Sequence, residues 1–331
     1  MKQRVVLRAD ASKRTGYGHF VRTLALTEYL KNDFECWLAT FNSDSKFFGQ
    51  PSDYQLSQIQ KSSQPLVVIG NDIDEYNELF LQELKSDDIV VIDNYYFSTD
   101  YQRRIKDKGC TLVCIDDMHD RHMVCDLLLT PSPLKREDFS LEDYTKFAGG
   151  IEWAFLREPF LSPTQARSLS SDIRNIVLAM GGADAFNLTD KIAEIVHKIL
   201  PDASIELICG ETVSVSSSTK TFANVNRCIS AEKIVDLFDK SDIGIFPAST
   251  ICVEAFSRHL PVIAGYYVDN QEEFYHYGID NNLFAPLGNL LENATKIQER
   301  LSRIISDNRP HPVDMDFNTQ KNKIINLFKN L

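Results

Sequence analysis

What the sequence lacks removes several classes of function. No apolar run among its 331 residues approaches the ~20 of a membrane-spanning helix, and the first residues lead straight into a charged strand. Neither a membrane span nor a leader segment is therefore expected. No lysine- or arginine-rich block occurs, and 35 basic against 47 acidic residues give a formal charge of −12. That balance argues against nucleic acid or an anionic membrane as the main partner. An anionic small ligand stays open, because helix N-termini bind phosphates without net basic charge. Neither half carries a complete G-x-G-x-x-G, so a nicotinamide or flavin site is unsupported, and no G-x-x-x-x-G-K-[ST] supports a P-loop. Tandem repeats and low-complexity tracts are missing too. The seven cysteines (36, 110, 114, 125, 209, 228 and 252) are odd in number and scattered. Cys110-Thr-Leu-Val-Cys114 reads as a strand with both thiols on one face, and no second pair completes a zinc set. Buried reduced thiols in a cytoplasmic protein are the expectation.

What is present is a chain too long for one average domain, 43% apolar and 25% charged, as soluble globular proteins are. Its first half alternates short β-rich runs (Arg4–Arg8, Glu35–Ala39, Leu66–Ile69, Ile89–Ile92, Leu112–Ile115, Leu127–Leu129) with amphipathic stretches (Phe20–Leu30, Tyr76–Leu84, Thr99–Asp107). Continuous apolar strands between helices predict a parallel sheet covered on both faces. The Pro- and Gly-rich stretch from Thr130 to Thr164 reads as the connection between domains. A second strand–loop–helix series starts at Asn175–Met180 and continues through Ile205–Cys209, Asp242–Phe246 and Pro261–Ala264. The expected domains are 1–157 and 158–331, the last helix packing back on the first.

The most informative stretch is Arg8-Ala-Asp-Ala-Ser-Lys-Arg-Thr-Gly-Tyr-Gly-His19, a glycine-bearing loop between a strand and a helix. Glycines allow a backbone close to a ligand, and the unpaired N–H groups of a new helix point at whatever fills the loop. His19 at that helix start is a candidate base; an ordinary turn with a packing histidine carries the same letters. Gly181-Gly182-Ala183-Asp184, followed by Asn187-Leu-Thr189, repeats the pattern and suits a diphosphate, with Asn187 or Thr189 capping the next helix. Phe246-Pro-Ala-Ser249-Thr250 opens another helix, and Glu254 one turn in could accept both hydroxyls of a ribose. A plain capped helix has the same signature. Asp269-Asn270-Gln271 beyond a strand suits sugar hydroxyl and acetamido groups, though a solvated turn would read alike. Asp93-Asn94-Tyr95 and Asp116-Asp117 lie at strand ends, where open α/β sheets present ligand-facing groups. His119 and His122 are not at a ligand spacing with that Asp pair, so no metal is expected. Arg8 and Asp10 could simply pair with each other.

Taken in order, these pieces resemble the nucleotide-sugar hydrolases of pseudaminic acid biosynthesis, which act on UDP-2,4-diacetamido-2,4,6-trideoxy-β-L-altropyranose. The resemblance rests on Arg8-Ala-Asp10-Ala-Ser12 with Gly16-Tyr-Gly18-His19 and Arg22; Asp93-Asn-Tyr95; Ile115-Asp116-Asp117 with His122 and Cys125-Asp126; Leu156-Arg157-Glu-Pro-Phe160; Gly181-Gly-Ala-Asp184 with Asn187-Leu-Thr189; Ser249-Thr250 with Glu254; and Asp269-Asn270-Gln271. Where that family usually has a glycine before the Ser-Thr pair, this chain has Pro247-Ala248, and Ala183 replaces the family's loop serine. The resemblance implies a GT-B type α/β fold, two Rossmann-like domains facing each other across a cleft that holds the active site. It also implies metal-independent hydrolysis at the anomeric carbon, releasing UDP, with His19 in the position of the catalytic histidine.

The expected machinery follows. Gly181, Gly182, Asp184, Ser249, Thr250 and Glu254 hold UDP; Gly18, Tyr95, Asn270 and Gln271 lie beside the sugar; His19 takes a proton from water, and Asp10 orients or polarises that site. No cofactor and no metal are expected, and the partner is a UDP-sugar, with neither nucleic acid nor membrane, in a cytoplasmic enzyme whose oligomeric state the sequence leaves open, a monomer being favoured. A glycosyltransferase on the same fold is the alternative, with a non-catalytic nucleotide-sugar binding subunit as a third reading.

Overall fold

The computed structural model describes residues 2–11, 18–43, 50–164, 172–182, 184–211 and 213–331. They form two compact units, Met1–Glu158 with Phe317–Leu331, and Pro159–Asp316.

The first unit is a doubly wound α/β layer. Its elements run β1 (Arg4–Ala9), α1 (Gly18–Leu30), β2 (Glu35–Ala39), α2 (Asp53–Ile59), β3 (Gln64–Pro65), α3 (Ile73–Glu83), β4 (Ile89–Asp93), α4 (Thr99–Asp107), β5 (Thr111–Ile115), β6 (His122–Met123), β7 (Leu127–Thr130), β8 (Ser140–Leu141) and β9 (Lys146–Gly149). The main sheet has the order β3-β2-β1-β4-β5-β7-β9 with parallel pairing, and β6 pairs with β8. Strands such as Ile89-Val-Val-Ile-Asp93 are buried along their whole length, as a sheet covered on both faces demands. Helix starts are set by local chemistry: Ser52 and Gln55 form a capping box on α2, and Ser98 accepts from the Tyr101 N–H on α4.

Two expectations are corrected here. Leu66–Ile69 is not a strand: pairing at that edge stops at Pro65, and Val67 and Ile69 are 48% and 55% exposed. The stretch after Thr130 is not a bare connection either. It carries β8 and β9, and β9 pairs with β7 in register Leu127↔Lys146 to Thr130↔Gly149.

The second unit repeats the plan with β10 (Asn175–Leu178), α5 (Leu188–Ile199), β11 (Ser204–Cys209), β12 (Ala223–Arg227), α6 (Ala231–Lys240), β13 (Ile243–Pro247), α7 (Thr250–Phe256), β14 (Val262–Tyr266), α8 (Glu272–Asp280), β15 (Ala285–Asn289) and α9 (Ala294–Asp307). Its parallel sheet has the order β12-β11-β10-β13-β14-β15. One face of that sheet packs Ile176, Leu178, Leu207, Ile245 and Leu287 against Ile192 and Val196 of α5 and Leu301 of α9.

The last helix, α10 (Phe317–Lys329), belongs to the first unit. Phe328 is buried with its ring 6.3 Å from that of Phe34, worth roughly 1.5–3 kcal/mol of burial. Lys329 pairs with Asp33 at 2.7 Å, and Lys146 donates to the Asn330 carbonyl at 2.7 Å. Among the described residues no helix is long and apolar enough to cross a membrane.

Candidate active site

In each sheet the strand order reverses beside the first strand of the unit, between β1 and β4 and between β10 and β13. Loops leaving the carboxyl ends of such a pair diverge to opposite faces and leave a crevice, the usual ligand position in open α/β sheets.

In the first unit that position is filled by charge. Ala9 at the end of β1 stands in register with Asp93 at the end of β4. His19, on the first turn of α1, is 9% exposed and puts its Nδ1 2.7 Å from Asp93 Oδ1. Arg22, one turn further along α1, forks over the same carboxylate: Nε donates to Oδ2 at 2.7 Å and Nη2 to Oδ1 at 2.5 Å. Its Nη1 reaches Asp117, just beyond β5, at 3.0 Å. The Thr23 hydroxyl donates to Asp93 Oδ2 at 3.0 Å. Burial alone would raise the Asp93 carboxyl, but the charge and hydrogen bonds of Arg22, with the bond from His19, outweigh it and hold it at about 2. Burial likewise opposes the charge on Arg22, and Asp93 and Asp117 overcome it, so its guanidinium stays protonated beyond the ordinary range.

This fixes the tautomer. An ionised Asp93 can only accept, so the proton of the 2.7 Å bond resides on His19 Nδ1. The 3.0 Å approach of Arg22 Nη2 to the same nitrogen is then a contact and not a hydrogen bond. In the neutral ring this tautomer leaves the lone pair on Nε2. The Tyr95 ring stands edge-on to the imidazole, centroids 4.5 Å apart. Burial and the neighbouring Asp117 carboxylate raise the Tyr95 hydroxyl above its ordinary value. Arg121 holds the Tyr95 loop from below, donating to the carbonyls of Phe97 (3.1 Å) and Tyr95.

The carboxylate that orients His19 is thus Asp93, where the sequence suggested Asp10. Both oxygens of Asp10 are engaged elsewhere. They accept from Arg8 Nη2 at 3.0 Å and Nε at 3.4 Å, and from the Phe41 N–H at 2.8 Å. Arg8 is fully buried among the rings of Tyr76, Phe80 and Phe97, at 4.6, 5.1 and 4.8 Å, with Nη1 donating to the Tyr101 hydroxyl at 3.1 Å. A charge so buried needs its counter-ion, and Asp10 is that counter-ion. Gly18 faces open space. Ser12 to Tyr17, including Gly16 of the motif, lie outside the described residues.

The Asp116-Asp117 pair divides its work. Asp116 Oδ2 accepts from the N–H groups of Met118 (3.1 Å) and His119 (2.9 Å), closing a turn, while Asp117 takes Arg22. His122 bonds Ser140 and Glu142. Among the described residues no group of three or more His, Cys, Asp or Glu is arranged to hold a metal ion.

The second unit treats the equivalent place differently. Gly181 has φ +89°, and a Cβ there would sit 2.9 Å from the Tyr267 hydroxyl. A Cβ on Gly210 would meet the Gly182 carbonyl oxygen at 1.8 Å, so the loop rests directly on bare backbone. Gly182 is exposed and open. Neither Asn187 nor Thr189 caps α5. Asn187 is left-handed with no side-chain bond to the helix, and Asp184 (φ +42°) accepts from the N–H groups of Leu188 (2.7 Å) and Thr189 (2.9 Å) instead. A carboxylate thus already occupies the N-terminus of α5, and both oxygens of Asp184, expected at UDP, are engaged in that cap. Ala183 lies outside the described residues.

Ser249 is the N-cap of α7, but its hydroxyl bonds the Pro247 carbonyl at 3.4 Å and makes no cap bond. Thr250 is exposed and Glu254 is buried within α7. Asn270 and Gln271 part company: Asn270 is exposed, while Gln271 is buried, its Oε1 accepting from the Tyr267 N–H at 3.0 Å. The Tyr267 hydroxyl donates to the Met180 carbonyl at 3.1 Å. Tyr267 and Gly210, which the sequence reading missed, therefore shape the glycine loop. A tyrosine just past a strand facing paired glycines was the available signal.

No family model matches the chain. It is 26% identical over 278 residues to the UDP-2,4-diacetamido-2,4,6-trideoxy-beta-L-altropyranose hydrolase of Campylobacter jejuni, covering 81% of this chain and 93% of that one. It is 24% identical over 296 residues to the uncharacterized protein MJ1062 of Methanocaldococcus jannaschii, where 82% of this chain spans 57% of the longer relative. Among solved structures, the S. aureus MnaA–UDP co-structure superposes with a TM-score of 0.62 at 12% identity, covering 100% of this chain and 96% of the other. Such a likeness bears on architecture alone: the chain has an α/β fold of GT-B type.

Proposed function

We propose that the chain is a UDP-sugar-processing enzyme, specifically a hydrolase that releases UDP from a UDP-linked 2,4-diacetamido-2,4,6-trideoxy sugar of pseudaminic acid biosynthesis. The observation that carries this reading is the buried His19–Asp93 dyad, bonded through Nδ1, in a chain that matches nearly the whole length of the Campylobacter hydrolase. His19 Nε2 takes a proton from water as the water oxygen bonds to the anomeric carbon. The bond from that carbon to the phosphate oxygen breaks, and the electron pair leaves with UDP. A general base in this role contributes about 10²–10⁴-fold.

The second unit is assigned the nucleotide. Gly181 and Gly182 offer backbone N–H groups, Ser249 and Thr250 offer hydroxyls, and Glu254 is assigned the ribose. Asp184 acts by fixing the loop, since its carboxylate caps α5 and would repel a phosphate. Tyr95, Gly18 and Asn270 are assigned to the sugar, and Gln271 holds Tyr267 in place. Positioned N–H groups and hydroxyls stabilise the leaving diphosphate, so the reaction needs no metal.

The test is incubation with a panel of UDP- and CMP-sugars in H₂¹⁸O with excess EDTA, followed by NMR and mass spectrometry. The reading requires free UDP and free sugar, with ¹⁸O in the sugar. Label in the phosphate would mean P–O cleavage and overturn it. UDP release only when an alcohol acceptor is added would make the chain a glycosyltransferase.

A further inference from the structure

A histidine beside a buried carboxylate has two stable outcomes: a neutral ring with a lone pair, or a standing imidazolium–carboxylate ion pair that cannot accept a proton. Asp93 favours the second, because a buried anion gains most from a full positive charge at its nearest neighbour. The side chains facing this pair decide between them. Among the described residues, α1 contributes Arg22 and Thr23, the end of β4 contributes Asp93 and the Tyr95 ring, and the segment after β5 contributes Asp117. Asp10, at the end of β1, is neutralised by Arg8. Among the described residues Arg22 alone brings positive charge, and it brings it to both sides of the question. It neutralises Asp93 through two hydrogen bonds and sets Nη2 3.0 Å from His19 Nδ1, where a charged ring would meet a like charge.

We propose that Arg22 is the positioning residue that makes the dyad a base: it occupies the charge of Asp93, so that His19 keeps an empty Nε2 while Nδ1–H stays pinned. Asp117 completes the device by holding the third nitrogen of the fork, which fixes the guanidinium plane over Asp93. A lysine could supply the charge but not the fork. This inference rests on His19 acting as a base, yet its first consequence is a property of the free protein.

The experiment is long-range ¹H–¹⁵N NMR of the full chain, with His19 assigned from the His19→Ala difference spectrum. In the parent at neutral pH, Nδ1 reads as protonated and Nε2 as a bare pyridine-type nitrogen. In Arg22→Met the ring reads as imidazolium at the same pH and returns to the neutral form only in more alkaline solution. Arg22→Gln, which keeps donors without charge, behaves like Arg22→Met, and Arg22→Lys restores most of the parent pattern. Should Arg22→Met fail to fold, the Gln and Lys variants decide the matter. An unchanged His19 pattern and titration in a folded Arg22→Gln overturns the proposal. On whichever UDP-sugar the panel identifies, Arg22→Gln lowers kcat about 10- to 100-fold with KM nearly unchanged, and the acid limb of the rate–pH profile moves to higher pH. A panel with no substrate defeats the hydrolase reading, while the NMR result still decides the role of Arg22.

Discussion

The two units meet the same topological opportunity with opposite chemistry. In both, the strand order reverses beside the first strand and a glycine-bearing loop leads into a helix. In the first unit, side chains of opposite sign converge there from α1, β4 and the segment after β5, and the result is a held imidazole. In the second, Asp184 of the loop closes the helix start on itself, and the groups left around it are backbone, hydroxyls and an aromatic wedge. Topology supplies a crevice; the residues at the strand ends decide whether it holds a charged cluster or bare backbone.

Breaking the charged side has the largest expected effect. His19→Ala should lower turnover about 10²–10⁴-fold and leave UDP affinity within about twofold, read by NMR release assays and calorimetry. Turnover within tenfold of the parent would remove His19 from the chemistry. Lost UDP binding would make it a structural residue. Next comes the binding side. Glu254→Ala should weaken UDP about tenfold to a few hundredfold, since a charge-assisted hydrogen bond contributes roughly 1.5–3 kcal/mol. The same change should affect 2′-deoxy-UDP far less. Equal calorimetric affinities in parent and variant would place the ribose elsewhere.

Smaller effects sharpen the comparison. Asp184→Ala should cost about 0.5–2 kcal/mol of stability through the lost cap on α5, seen as a lower denaturant midpoint with unchanged slope. UDP affinity should not collapse with it; a loss of a hundredfold or more at full folding would mean that Asp184 touches the nucleotide. The last comparison is of acid stability. Asp93 is held at about 2, below the ordinary carboxylate value of roughly 3.9, so its contribution is present above that ordinary value and fades as the pH falls through about 2. Denaturant titrations from neutral pH to pH 2 should show parent and Asp93→Asn converging over that window. Parallel curves would mean that the carboxylate is not favoured in the folded state.

What was legible in the sequence was local. A β-branched run, a glycine loop and an apolar-periodic stretch sit within the first thirty residues, so β1, α1 and the place of His19 could be read directly. The partner of His19 could not. Asp93 lies 74 residues away, and it meets the histidine only because β4 pairs with β1. Asp10, close in sequence, looked the better candidate until the buried Arg8 claimed it. The cap of α5 failed for a related reason: Asp184, Asn187 and Thr189 are all competent by type, and the choice falls to backbone angles that only the folded loop has. Pro and Gly between 131 and 150 suggested a connection, but they bend a chain that still adds β9 to the sheet.

The place of α10 carries a consequence for how the molecule is made. The first unit is not a contiguous stretch: it closes only with Phe317–Leu331, after every residue of the second unit has been joined to the chain. During synthesis the N-terminal sheet therefore waits with the contact surface of Phe34, Asp33 and Lys146 uncovered, while the second unit is free to fold as a whole. A stop between residues 290 and 316 would leave both sheets written and the first unit unfinished.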